Sequence, residues 1–543
     1  MRANLKLVDP MTETGASGSN APVAVTQRSL LRFITCGSVD DGKSTLLGRI
    51  LFETGAVFED QMEALNRDSA RFGTTGEDVD FALLVDGLSA EREQGITIDV
   101  AYRYFSTPKR AFIAADTPGH EQYTRNMATG ASTADVAIIL VDARKGLLPQ
   151  TRRHSYIVSM LGVRRVIVAI NKIDLVGYDE QVFRKIEQDY RALASQLGFI
   201  ETHILPVSAR FGDNVVTVSD KMPWRSGPPL LSLLETIEAA PSGDIEFRFP
   251  VQWVNRPNLD FRGFSGTIAS GEITVGESII ALPRGKSSKV TAILGPSGEQ
   301  DRAGVGESIT LTLADEIDIS RGDVLVRATS PVKPRRQLEA RLLALTEAPV
   351  TPGRNYLVKI GTAVTAARIA TLHHAVDVHT YQPVPATALQ MNGIGLATLR
   401  FETDIVAADY AAAQSLGGLL LIDPHSNDTV ALGVVEPKAD EDERALLSTD
   451  HLAMALAWLG LMPREATADE ASQIAVEMAA GAILTGLIVL AATSSPGLAL
   501  GGALADIVLR PALGLALGRA RSWIAARRKA RDESDLTTDG GGI

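Results

Sequence analysis

Three clusters of residues able to bind and cut a nucleoside triphosphate occur in a fixed order along this chain. The first, Gly37, Ser38, Val39, Asp40, Asp41, Gly42, Lys43 and Ser44, with Thr45 behind it, fits the spacing G-x-x-x-x-G-K-[ST] without mismatch. Gly37 and Gly42 let the backbone curl so that its N–H groups converge on phosphate oxygens. Lys43 is placed to neutralise the β- and γ-phosphates, and Ser44 can offer a hydroxyl to Mg2+. The second cluster is Asp116, Thr117, Pro118, Gly119 and His120. Asp116 suits Mg2+, through water, and Gly119 offers an N–H to the γ-phosphate. His120 then faces the attacking water, where other triphosphate-cutting sites place a glutamine. The third is Asn171, Lys172, Ile173 and Asp174. Asp174 can accept from N1–H and the exocyclic amine of guanine, a donor pair that adenine lacks, while Asn171 and Lys172 buttress the base. Ser208 and Ala209 would complete the base pocket through backbone contacts.

Between the first two clusters lie Gly95, Ile96, Thr97, Ile98 and Asp99. A threonine there can reach Mg2+ and the γ-phosphate only while GTP is bound, so loss of that phosphate would release the loop. The set implies a GTP hydrolase with GTP and Mg2+ as cofactors, Ser44, Thr97 and Asp116 around the metal, and His120 as the catalytic group. No arginine finger is identifiable in the sequence.

These residues need elements to hold them. The apolar run over 30–36 reads as a buried strand, and 45–52 has helical spacing. Strand, glycine turn and helix give the phosphates a positive helix end. Apolar strands over 111–115, 166–170 and 202–207 lead into Asp116, Asn171 and Ser208. After residue 240 the pattern changes to short alternating segments with Gly and Pro turns, as over 266–276 and 308–313. That is the expected pattern of barrel strands.

The combination of D-T-P-G-H, G-I-T-I and N-K-I-D resembles the translation elongation-factor class of GTPases, from about Leu30 to Val435. Within it, Ser38 and Asp41 stand where elongation factors proper usually carry His. The block from Arg248 to Gly266, which includes Arg256, Pro257, Asn258, Leu259, Asp260, Phe261, Arg262 and Gly263, is similar to the GTPase subunits of bacterial ATP sulfurylase. Residues 222–230, 391–395 and 417–423 fit the same family. The resemblance implies an α/β P-loop domain followed by two β-barrels. It also implies a heterodimer with a smaller catalytic subunit, which joins sulfate to the AMP part of ATP and releases pyrophosphate. GTP hydrolysis on this chain would then be coupled to that unfavourable reaction. The domains expected are a leader over 1–27, a GTP-binding domain over 28–240, barrels over 245–335 and 336–437, an acidic linker over 438–450, and an Ala/Leu-rich α-helical tail over 451–543.

A formal net charge of −12 over 543 residues argues against a broad nucleic-acid surface. No nucleic-acid partner is expected, which weighs against the alternative of a translation factor. The single cysteine, Cys36, excludes a disulfide framework, reads as a packed small residue and favours a cytoplasmic compartment. Residues 1–27 lack the apolar core of a signal peptide. His373 and His374 are adjacent on a strand and face opposite ways, a poor metal pair. Residues 478–505 carry no charge, and Arg519, Arg521, Arg527, Arg528, Lys529 and Arg531 follow. Two readings stand for the tail. A helical hairpin through 478–518 would associate with the inner face of the membrane, and the favoured reading is this one. A pair of Ala-rich helices would instead pack on protein, as the charged Asp506 and Arg510 suggest. A membrane-tethered signalling GTPase is the third functional class. No second P-loop follows residue 440, so no fused adenylylsulfate kinase is expected.

Overall fold

Largely apolar runs become the strands of one six-stranded sheet, and three of them end in the site residues Asp116, Asp142 and Asn171. In the computed structural model, which describes residues 29–72, 79–85, 91, 96–238, 246–258 and 260–437, the first part of the chain runs as follows. It contains β1 (Ser29–Cys36), α1 (Lys43–Glu53), α2 (Glu59–Phe72), β2 (Ala101–Ser106), β3 (Arg110–Asp116), α3 (Thr124–Ala131) and β4 (Val136–Asp142). Then come α4 (Pro149–Met160), β5 (Arg165–Asn171), α5 (Glu180–Ala194), β6 (Glu201–Pro206) and α6 (Leu230–Thr236). The strand order is β2-β3-β1-β4-β5-β6, with β2 antiparallel to β3 and the other pairs parallel. Every residue of β4 is buried, because a parallel sheet covered on both faces needs continuous apolar strands rather than alternation.

The order reverses at β1, which lies between β3 and β4, so a crevice opens beyond the carboxyl ends of these strands. Register then aligns the clusters. Thr35 lies opposite Asp116, and Asp142 opposite Asn171. Two cores flank the sheet. Leu46, Leu47 and Ile50 of α1 and Leu230 and Leu234 of α6 pack on Leu31, Phe33 and Ile138. On the other face Met127, Ile157, Phe183 and Tyr190 pack on Ile34, Ile139 and Val168.

Two six-stranded barrels follow. The first closes where Ser278–Leu282 pairs with Lys286–Gly295, and the second where Asn355–Ile360 pairs with Ala363–Val376. Closure leaves no free edge within either ring. Phe247, Phe249 and Phe264 fill the first, and Leu338, Tyr356 and Leu399 the second. Leu343, Val376, Ile394 and Val434 of the second barrel join the same core as α4. The barrels meet through Leu282, Val324 and Val326 against Val406, Ala408 and Leu416.

The leader over 1–27, Gly95, the linker over 438–450 and the tail over 451–543, including 478–518, lie outside the described residues. Among the described residues no helix is long and apolar enough to cross a membrane.

Candidate functional site

The crevice beyond β1 has a volume of about 530 Å³ and is lined from every cluster, by Val39, Asp40, Gly42, Lys43, Ser44 and Thr45, by Ile96, Thr97, Gly119 and His120, and by Asn171, Lys172, Asp174 and Ala209. At its floor the loop from β1 to α1 is tightly folded. Lys43 Nζ donates to the carbonyls of Gly37 at 3.3 Å and Ser38 at 2.9 Å. Asp41 turns back into the loop, where its carboxylate accepts the Ser38 N–H at 2.6 Å. Burial pushes the Asp41 carboxyl up to about 6, against the opposing pull of the Lys43 ammonium and the Ser38 N–H. Gly42 sits at φ +91°, and a Cβ there would lie 2.5 Å from Asn171 Nδ2, so both conformation and space demand glycine. Gly119 is pressed onto the same loop. A Cβ on it would lie 2.5 Å from Lys43 Nζ and 2.8 Å from Val39 N.

Three oxygen-bearing side chains converge beside Lys43. Ser44 Oγ donates to Asp116 Oδ2 at 2.6 Å and lies 3.2 Å from Thr97 Oγ1. The other Asp116 oxygen accepts from Thr35 Oγ1 at 2.6 Å, and Thr117 Oγ1 donates to the Thr35 carbonyl at 2.6 Å. Burial raises the Asp116 pKa, while the bonds from Ser44 and Thr35 and the Lys43 charge oppose that rise. A hard oxygen set of one carboxylate and two hydroxyls is what Mg2+ takes, together with phosphate oxygens and water. The segment carrying Thr97 is held by Glu91 Oε1, which accepts the N–H groups of Ile98 at 3.0 Å and Asp99 at 3.3 Å.

His120 is half-buried at the crevice. Its Nδ1 accepts the Gln122 N–H at 3.3 Å, which caps the short turn Glu121–Tyr123. The next residue is gripped from two sides. The Glu121 carbonyl accepts from Asn392 Nδ2 of the second barrel at 2.9 Å, and its carboxylate lies 3.3 Å from Arg153 of α4.

At the far end Asn171 ties two loops together. Its Nδ2 donates to the Asp41 carbonyl at 2.7 Å, and its Oδ1 accepts the Ala209 N–H at 2.9 Å. Ser208 Oγ donates to Asp174 Oδ1 at 2.7 Å and fixes that carboxylate's direction. Lys172, in the left-handed conformation at φ 60°, bonds the Asp40 carbonyl and lies 3.3 Å from Asp142. The side chains of Ile173, fully buried in the core, and of Thr117, committed to Thr35, do not line the crevice.

Four supporting residues carry no motif signal. Thr35 orients Asp116 through the β1–β3 register. Asp142 accepts both from Arg144 and from Lys172. Burial pushes its carboxyl up, but these bonds outweigh burial and hold it at about 2. Leu175, which lines the base end, is 53% exposed. The fourth is His154, whose Nδ1 accepts the Gly37 N–H at 3.2 Å. Polar residues at the ends of β1 and β4 could have marked the first two, but nothing near His154 in sequence does.

Residues 28–240 match the profile of the elongation factor Tu GTP binding domain, and residues 337–436 match GTP-eEF1A C-terminal domain-like proteins. The sulfate adenylyltransferase subunit 1 of Chromobacterium violaceum is 54% identical over 424 residues, which cover 78% of this chain and 89% of that protein. That of Teredinibacter turnerae is 54% identical over 409 residues, 75% of this chain and 87% of that protein. The bifunctional enzyme NodQ of a Rhizobium species is 51% identical over 410 residues, 75% of this chain and 64% of that protein.

Proposed function

Because the chain belongs to the sulfate adenylyltransferase subunit 1 family of elongation-factor-Tu-like GTPases, we propose that its crevice binds GTP with Mg2+. Hydrolysis there is coupled to formation of adenosine 5′-phosphosulfate and pyrophosphate from ATP and sulfate, on a smaller catalytic subunit. The observation that carries the site reading is the convergence of Ser44, Thr97 and Asp116 next to Lys43, above a loop held by Asn171.

The β- and γ-phosphates lie along the N–H groups of residues 38–44 with Lys43 as countercharge. Mg2+, held by Ser44, Thr97 and Asp116, would neutralise charge that develops on the phosphate oxygens. Thr97 ties its segment to the γ-phosphate end of the site, so its position differs between the triphosphate and diphosphate states. A partner that binds those states differently would be driven by hydrolysis. With Nδ1 accepting from Gln122, the neutral His120 ring carries its proton on Nε2. That nitrogen donates, so His120 orients the attacking water and stabilises charge rather than removing a proton. Asp174, aimed by Ser208, reads guanine.

The Asp174→Asn variant tests the base reader. It should lose guanine nucleotide affinity by about 100-fold and gain xanthine nucleotides in return, because a carboxamide presents a donor where the guanine amine needs an acceptor. Undiminished preference for GTP over XTP in a competition assay would contradict this assignment.

A further inference from the structure

Three consecutive residues of α4 touch three different parts of the molecule. Arg152 faces the second barrel. Its guanidinium donates to the His379 carbonyl at 3.3 Å, and its own carbonyl accepts from the Tyr381 hydroxyl at 2.8 Å. Arg153 reaches Glu121, one residue beyond His120. His154 is fully buried, and its Nδ1 accepts the N–H of Gly37, the first residue of the phosphate loop, across 117 positions of sequence.

The Gly37 N–H sits where the chain leaves β1 and turns at φ +154°. A buried N–H left without an acceptor is costly. Burial, with Lys43 and Arg153 nearby, pushes the His154 pKa down to about 3, so the ring is neutral at physiological pH. A neutral ring can accept at Nδ1 only with its proton on Nε2; the Gln150 amide nitrogen, 2.9 Å from Nε2, is then a second donor and does not hold the ring. The ring, carried by α4, is therefore tied to the phosphate loop through Nδ1. The second barrel grips α4 two residues earlier in the chain, at Arg152.

We propose that His154 is a positioning residue for the phosphate loop, and that the second barrel acts on nucleoside di- and triphosphate binding through it. This rests on the reading of residues 37–45 as the phosphate loop. The barrel's hold on α4 then sets where the Gly37 N–H points, and the phosphates feel that direction.

The test uses the full chain and fluorescently labelled GDP at equilibrium. His154→Asn keeps an acceptor oxygen close to the place of Nδ1, whereas His154→Leu has the same shape without it. We expect His154→Leu to weaken GDP binding about tenfold and His154→Asn to restore it to within about threefold. Tyr381→Phe should shift GDP affinity about threefold in the native background and leave it unchanged in the His154→Leu background. Native affinity in His154→Leu, equal weakening by Leu and Asn, or the same Tyr381→Phe effect in both backgrounds would each overturn the proposal. If the native chain itself bound no labelled GDP, the phosphate-loop reading would fall, and this proposal with it.

Discussion

His120 enters the crevice with one ring nitrogen already committed to the backbone of the turn it caps. On the proposed function it orients water with the other and adds nothing to the grip on phosphate, which falls to the loop and Lys43. His120→Ala should therefore lower the GTP hydrolysis rate by about 100-fold or more while the Kd values for GTP and GDP stay unchanged. Turnover at the native rate would remove His120 from its role. Asp41 has a pH signature of its own. Burial raises its carboxyl from the ordinary value near 3.8 to about 6, so between those values the folded chain holds a proton that the unfolded chain releases. The destabilisation is present in full above about pH 6 and is relieved as pH falls toward 4, with Lys43, Asp142 and Lys145 as the neighbouring charges. Asp41→Asn keeps an acceptor for the Ser38 N–H and abolishes the titration. Without nucleotide it should be the more stable chain at pH 8, by at most about 3 kcal/mol, and should keep only about a third of that advantage at pH 4.5. A stability difference that stays level between those pH values would contradict this.

Elements explain which parts of the site could be read in advance. The three clusters were legible because each is a strand end, and the rules for a parallel sheet bring strand ends together. The apolar runs over 30–36, 111–115 and 166–170 are the cores of Ser29–Cys36, Arg110–Asp116 and Arg165–Asn171. The contacts made across domains were not legible. Asn392 has no local pattern that aims it at Glu121, and only closure of the second barrel and its packing on α4 bring them together. The same holds for His154, which in sequence is one more polar residue on a helix. Asn392 sits at φ 62°, a conformation asparagine tolerates and glycine adopts freely. Asn392→Gly thus removes the bond to Glu121 without new backbone strain. It should change the GTP hydrolysis rate by about two- to tenfold, with little effect on GDP affinity. A rate equal to that of the native chain would mean that the barrel does not hold the His120 segment.

Across the whole molecule, the second barrel touches the sheet domain through α4 and Glu121, beside the crevice, so under the proposed function bound nucleotide and barrel position would be linked. Such a linkage is reciprocal: whatever binds the barrels or the Thr97 segment differently in the two nucleotide states must in turn alter nucleotide affinity and turnover. In the proposed function the chain supplies the GTP-hydrolysing part, and the sulfate and ATP chemistry is assigned to a partner subunit. The most direct measurement is GTP hydrolysis by the full chain, alone and with its co-expressed smaller subunit, with and without ATP and sulfate, while adenosine 5′-phosphosulfate is followed in parallel. Hydrolysis should rise, and adenosine 5′-phosphosulfate accumulate, only when partner, ATP and sulfate are all present. Hydrolysis indifferent to sulfate and partner would contradict the coupling.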